Sequence, residues 1–260
     1  LHRYGIRTRE IGLNWAKADS RFDLSKEINE PNKVGYVVEI DPLNPNSTPK
    51  KHTALGRFKH ENAELVISKD GKIIVYMGDD ERGEYLYKYV SNESMNEVKD
   101  KSTLLSNGNL YVAKFNDNFT GEWLLLDTQT TGLSSKAEVC IFTRLAASKV
   151  GATTMDRPEW IASNPKKNEV CCCLTNNKNR GIKTNKGGDK VDVDKVNPRK
   201  NNKYGQIVRW KPRDNNHSSV YFEWDLFVVA GNPNVHDDNN KGSKNIDKEN
   251  MFNSPDGLKF

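Results

Sequence analysis

Glu64-Leu65-Val66-Ile67-Ser68, the turn Lys69-Asp70-Gly71, then Lys72-Ile73-Ile74-Val75-Tyr76-Met77 is the stretch that decides the fold. β-branched and aromatic residues run into a turn built on Asp-Gly and resume beyond it, which is a β-hairpin pattern. A hairpin of the same form spans 160–163, the turn 164–168 and 169–175. Aligning their second strands at Ile73 and Val170 brings Glu61 to within one residue of Glu159. Asp256, in Ser254-Pro255-Asp256-Gly257-Leu258, extends the series, with spacings of 98 and 97 residues. Equivalent carboxylates at a constant interval, each at the mouth of a hairpin, suggest a circular repeat aiming them at one axis, as hard cations require. Four-stranded propeller blades run roughly 40–50 residues. The interval therefore reads as about two blades, the intervening ones lacking the acid. Coincidence in an acid-rich chain is the competing reading.

Other strand-like runs are Gly35 to Pro42, Gly205 to Pro212 and Asn109 to Phe115. Helix candidates are short, at 24–29 and at 134–150, where Ala137, Cys140, Ile141, Arg144 and Leu145 keep a helical spacing. The fold class is thus all-β, a partial β-propeller of several four-stranded blades with long inserted loops and short helices. Residues 1–260 are read as one propeller domain truncated at both ends. Leu1-His2-Arg3-Tyr4 has neither an initiator Met nor a signal-peptide run, and the final Asp256-Gly257-Leu258-Lys259-Phe260 reads as an opening strand. Segments 178–203 and 232–253, rich in Lys, Asn, Gly and Asp, are expected to be mobile loops.

Hydrophobic residues make up only 35% of the 260, which suits short strands and polar connections better than a helical core. No apolar run of eighteen exists, so no membrane span is expected. Forty basic residues stand against 35 acidic ones, a mixed surface. The lysine-rich loops lack an aromatic-basic face, and no nucleic-acid partner is expected. Cys171, Cys172 and Cys173 are consecutive and must alternate faces in a strand, so they cannot form one metal site; they are read as buried strand cysteines, with Cys140 standing alone. Nucleophile elbow, P-loop, dinucleotide and zinc motifs are all absent.

Arg157-Pro158-Glu159-Trp160 carries chemistry. Pro158 is expected to hold Arg157 extended, in a rigid turn that presents Arg and Glu together. A carboxylate that holds a metal beside a guanidinium that forks onto an anion is a phosphoryl-binding combination. A local ion pair at a blade edge is the other reading. Gly78-Asp79-Asp80-Glu81-Arg82-Gly83-Glu84 either lines a metal site or solvates a turn, and Asn176-Asn177 either offers neutral calcium ligands or makes a turn.

Several strings resemble the alkaline phosphatases of the PhoX type. They include Thr53-Ala54-Leu55-Gly56-Arg57-Phe58-Lys59-His60-Glu61, Val75-Tyr76-Met77-Gly78-Asp79-Asp80-Glu81-Arg82, Asp156-Arg157-Pro158-Glu159-Trp160 and Asn202-Lys203-Tyr204-Gly205-Gln206-Ile207-Val208-Arg209-Trp210. The resemblance runs from about residue 18 to the C-terminus. It implies a monomeric, exported, periplasmic or secreted phosphomonoesterase acting on small phosphate esters at a carboxylate-bound cluster of calcium and iron. Carried over by motif, Glu61, Glu159 and Asp256 are metal ligands and Arg157 holds the substrate phosphate. The family's thiolate iron ligand and early carboxylates lie N-terminal to anything here, so residues 1–260 alone are expected to show weak or no activity.

Two other functions fit the same acids. One is a calcium-dependent propeller lactonase, which needs no arginine on its substrate and so no phosphate inhibition. The other is a non-catalytic calcium-binding β-propeller interaction module, in which metal removal lowers stability alone.

Overall fold

In a computed structural model, the protein is described over residues 2–7 and 12–260. Strands β1 (Val37–Glu39) and β2 (Lys50–His52) pair as a short ribbon. The main sheet contains β3 (His60–Ile67), β4 (Lys72–Asp79), β5 (Leu86–Ser94), β6 (Gly108–Phe115), β7 (Thr120–Leu125), β8 (Pro158–Ser163), β9 (Val170–Leu174), β10 (Gln206–Pro212) and β11 (Tyr221–Val229). Its order is β3-β4-β5-β6-β7-β11-β10-β9-β8, antiparallel throughout. Helices are short: α1 (Trp15–Ala18), α2 (Thr128–Thr131), α3 (Lys136–Ile141) and α4 (Thr143–Lys149).

Both expected hairpins form, as β3–β4 and β8–β9. Each opens a meander, and the two meanders join through three residue pairs between β7 and β11. At the other side, side chains bridge β3 and β8. Asn62 Nδ2 donates to Ile161 O (2.8 Å), Asn62 Oδ1 accepts from Ile161 N (3.1 Å), and Ser163 N donates to Glu64 Oε1 (2.8 Å). The nine strands thus nearly close on themselves, and the fold is β-propeller-like, with β3 and β8 as adjacent inner strands.

The two-blade reading of the interval is corrected. One meander, β3 to β7, separates Glu61 from Glu159, and α2, α3 and α4 fill the residues before β8. Asp256 also departs from the hairpin pattern, lying in chain that belongs to no strand.

Strand parity builds the core. On β4, Ile74 and Tyr76 face an inter-meander cluster with Trp123, Ile161, Cys172, Trp210 and Trp224. Ile73, Val75 and Met77 face the opposite way, against Tyr87, Val112 and α3–α4 residues such as Val139 and Ala146. β9 splits likewise. Cys172 enters the first cluster, while Cys171 and Cys173 pack with Ile207 and Val228 under Ile246 and Phe252. Both faces of β4 and β9 are covered, so these strands read as continuous apolar runs. Cys171, Cys172 and Cys173 are free and buried in β9, as expected, and Cys140 is free and buried in α3.

Two helix expectations change. Residues 24–29 form turns, because Asp23 Oδ1 takes the Ser25 amide (3.1 Å), and a 3-10 turn follows instead at Glu30–Lys33. The 134–150 helix breaks at Phe142. There the Cys140 carbonyl accepts from Arg57 N (2.9 Å) and Thr143 Oγ1 (2.8 Å), so tertiary contacts claim a group that a continuous helix would use.

Candidate functional site

β4 ends at Asp79, and parity then sends successive acids in opposite directions. Asp79 turns inward and accepts Arg144 Nε (2.7 Å) and Nη2 (2.6 Å), with both side chains inaccessible to solvent. Asp80 turns outward towards β8. The second meander repeats the device: Asp156 is buried on Arg180 Nε (2.7 Å), and Arg157 beside it faces outward. Two buried Asp–Arg pairs therefore anchor the residues immediately before Asp80 and Arg157. The turns that carry them are bound together by an Arg82–Asp156 bridge and by paired backbone hydrogen bonds between Gly83 and Met155 and between Met155 and Glu84.

Arg157 Nε and Nη2 donate to the two Asp80 oxygens at 2.8 and 3.1 Å, and Nη2 also donates to Glu159 Oε1 (3.1 Å). Among the described residues its Nη1 makes only a long 3.4 Å contact, with Asn176 Oδ1. One edge of the guanidinium is thus held by carboxylates, and the other is left for a further acceptor. The extended backbone expected before Pro158 is corrected: Arg157 has φ +56°, in the left-handed region. The fork onto Asp80 and the hydrogen bond from Thr175 N to Arg157 O hold this strained conformation in place. Gly78 matters for the same approach, since a Cβ there would lie 2.7 Å from the Pro158 carbonyl oxygen and 2.9 Å from that of Glu159.

Glu61, Asp80 and Glu159 bring one oxygen each to within 4.8 Å of one another. Burial and the charges of Asp80 and its acidic neighbours push Glu159 up to about 8, against the pull of Arg157. Burial, Asp80 and Asp256 raise Glu61 in the same way. Asp256 stands outside the close triad, but its charge acts on both glutamates, and Ser254 Oγ nearby accepts from Asn176 Nδ2 (3.3 Å). An all-oxygen cluster with such mutual repulsion fits a hard cation, whose charge would relieve it. The cysteines of β9 do not join this cluster: Cys172 packs in the inter-meander core, and Cys171 and Cys173 pack with Ile207 and Val228. His60 is held neutral by burial, lowered to about 4, with Nε2 on the Gly56 carbonyl oxygen at 3.0 Å.

A cleft of about 560 Å³ opens beside Arg157 and Asp80. Its far wall is the 178–203 segment, which has no strand but many anchors. Arg180 also donates to Thr154 O and Asp192 O (both 2.8 Å), Asn202 Nδ2 to Asp156 Oδ2 (2.8 Å), and Asn185 Nδ2 to Gly83 O (2.9 Å). The structure thus unites Glu61, Glu159 and Arg157 from the sequence and adds Asp80, one acid of a run whose parity the sequence left open. The contribution of 178–203 had no local signal, since its contacts lie on distant turns.

A family model described as Alkaline phosphatase PhoX matches residues 1–260. Among solved structures the chain is similar to "Pseudomonas fluorescens PhoX in complex with vanadate, a transition state analogue", with 50% identity and a TM-score of 0.91. That alignment covers 100% of this chain and 47% of the other, so the chain spans about half the length of its solved relative. No curated protein matches.

Proposed function

The chain belongs to the PhoX alkaline phosphatase family, and on that premise we propose that it supplies part of the active site of a metal-dependent phosphomonoesterase. The carrying observation is the juxtaposition of the Glu61–Asp80–Glu159 cluster with a guanidinium that keeps one edge open. Glu61, Asp80 and Glu159, with Asp256 adjoining, would hold the cations. Bound cations would offset the phosphate charge and favour ionisation of an oxygen nucleophile. Arg157 would place its weakly held Nη1 edge on non-bridging phosphoryl oxygens, where charge must be stabilised as the ester oxygen departs. Asp80 would fix the plane of that fork, and the buried Asp79–Arg144 and Asp156–Arg180 pairs would fix the two turns.

Calcium suits the oxygen donors. Iron, like monomeric state and export to the periplasm, is proposed on family membership. Among the described residues no helix is long and apolar enough to cross a membrane. Nothing in the site favours the lactonase or non-catalytic alternatives.

The test is hydrolysis of p-nitrophenyl phosphate by the full-length protein with and without a calcium chelator. Turnover that the chelator abolishes and calcium restores is expected. A folded, metal-loaded protein with no turnover would overturn the proposal.

A further inference from the structure

The cleft beside Arg157 carries more positive charge than one phosphoryl group requires. Five cationic side chains line it against two acidic ones. Glu81 Oε2 accepts from both Lys59 Nζ (3.0 Å) and Lys186 Nζ (2.7 Å), so one carboxylate orders two ammonium groups. Two ammonium groups share that one carboxylate, so the trio keeps a net positive charge.

Arg82 and Lys183 line the same cleft and make no ion pair among the described residues. Arg82 Nε is shielded from solvent and has no hydrogen-bond partner among them, which is costly for a donor unless a ligand supplies the acceptor. Asn185, between the two loop lysines, is buried and ties their segment to the Gly83 carbonyl of the acid-rich turn.

An ester gripped by Arg157 would extend its alcohol portion into this cleft, whose volume falls in the range of small-molecule sites. Resting on the phosphatase reading, we propose that Lys59, Arg82, Lys183 and Lys186 form a second anion subsite. It selects phosphomonoesters whose leaving group carries a further anionic group, a carboxylate or a second phosphate. The subsite binds the part of the substrate that does not react, so it acts chiefly on KM.

The experiment compares kcat/KM of the metal-loaded, full-length protein for 4-carboxyphenyl phosphate and 4-carbamoylphenyl phosphate, near-isosteric esters that differ in charge. The parent protein should prefer the carboxylate through a lower KM, and added salt should weaken the preference. In Lys183→Gln/Lys186→Gln the ratio should fall about fivefold, the scale of partly exposed ion pairs. Lys244→Gln, exposed and outside the cleft, should leave the ratio as in the parent. A ratio that is the same in the parent and the double variant, or that ignores salt, would overturn the subsite while leaving the phosphatase reading intact. Absence of turnover with either ester would instead overturn the phosphatase reading itself.

Discussion

Arg157→Ala in the full-length protein is expected to lower kcat for p-nitrophenyl phosphate by about 10²–10³-fold, the scale for losing one preorganised donor to a developing charge. Bound metal should not fall with it. In the structure Arg157 opposes the charge of Asp80 and Glu159, lowering the pull those carboxylates exert on a cation. Its removal leaves the acids less neutralised, so cation affinity is retained or increased. Arg157→Lys should recover little, because an ammonium group cannot keep two donors on Asp80 while presenting a third to phosphate. Steady-state kinetics with elemental analysis of the same preparations reads both quantities. Unchanged turnover would remove Arg157 from the chemistry, and parallel loss of metal would recast it as a structural partner of the cluster.

The second large effect is on stability. Arg144→Ala leaves Asp79 buried without its partner, and Glu84, whose oxygen lies 3.8 Å from Arg144 Nε, loses a neighbouring cation. Breaking one side of a fully buried pair costs about 3–5 kcal/mol. Denaturant unfolding should register that loss, and adding Asp79→Asn should restore part of it, because the uncompensated charge is then gone. A loss below about 1 kcal/mol would show the pair to behave like an exposed one. Asp79 precedes Asp80, so the single variant should also loosen the fork onto Arg157 and lower turnover beyond the folding defect.

Strand parity and turn residues mark what the sequence could reveal. Asp-Gly and Asn-Pro turns between β-rich runs made the β3–β4 and β8–β9 hairpins readable, and their alignment brought Glu61 and Glu159 into register. β5 was harder. Lys88 in its middle looks solvent-facing, yet it is fully buried, with Nζ on Ser219 O (2.6 Å) and over the Trp123 ring. Burial has lowered its pKa well below the usual range. β11 alternates cleanly, with Phe222 and Trp224 inside and Tyr221 and Glu223 outside, but no local rule pairs it with β7 across nearly a hundred residues. That non-local pairing, and the helices that occupy the chain before β8, are why one meander was read as two.

Within the site, composition showed an acid-rich turn at 79–84 but not which acid served which side. That choice depended on where β4 ended and on Arg144, 65 residues away. The Lys/Asn-rich 178–203 segment was opaque for a similar reason. Its anchors, Arg180 on Asp156 and Asn185 on Gly83, are tertiary contacts between polar residues that look solvated in isolation.

Phosphoester hydrolysis as proposed depends on a metal held by Glu61, Asp80 and Glu159. Bound metal per chain in the full-length Glu159→Ala variant, set against the parent protein, tests it most directly. Loss of at least one equivalent together with loss of phosphatase turnover is expected. Full metal content and parental turnover in a folded variant would contradict it.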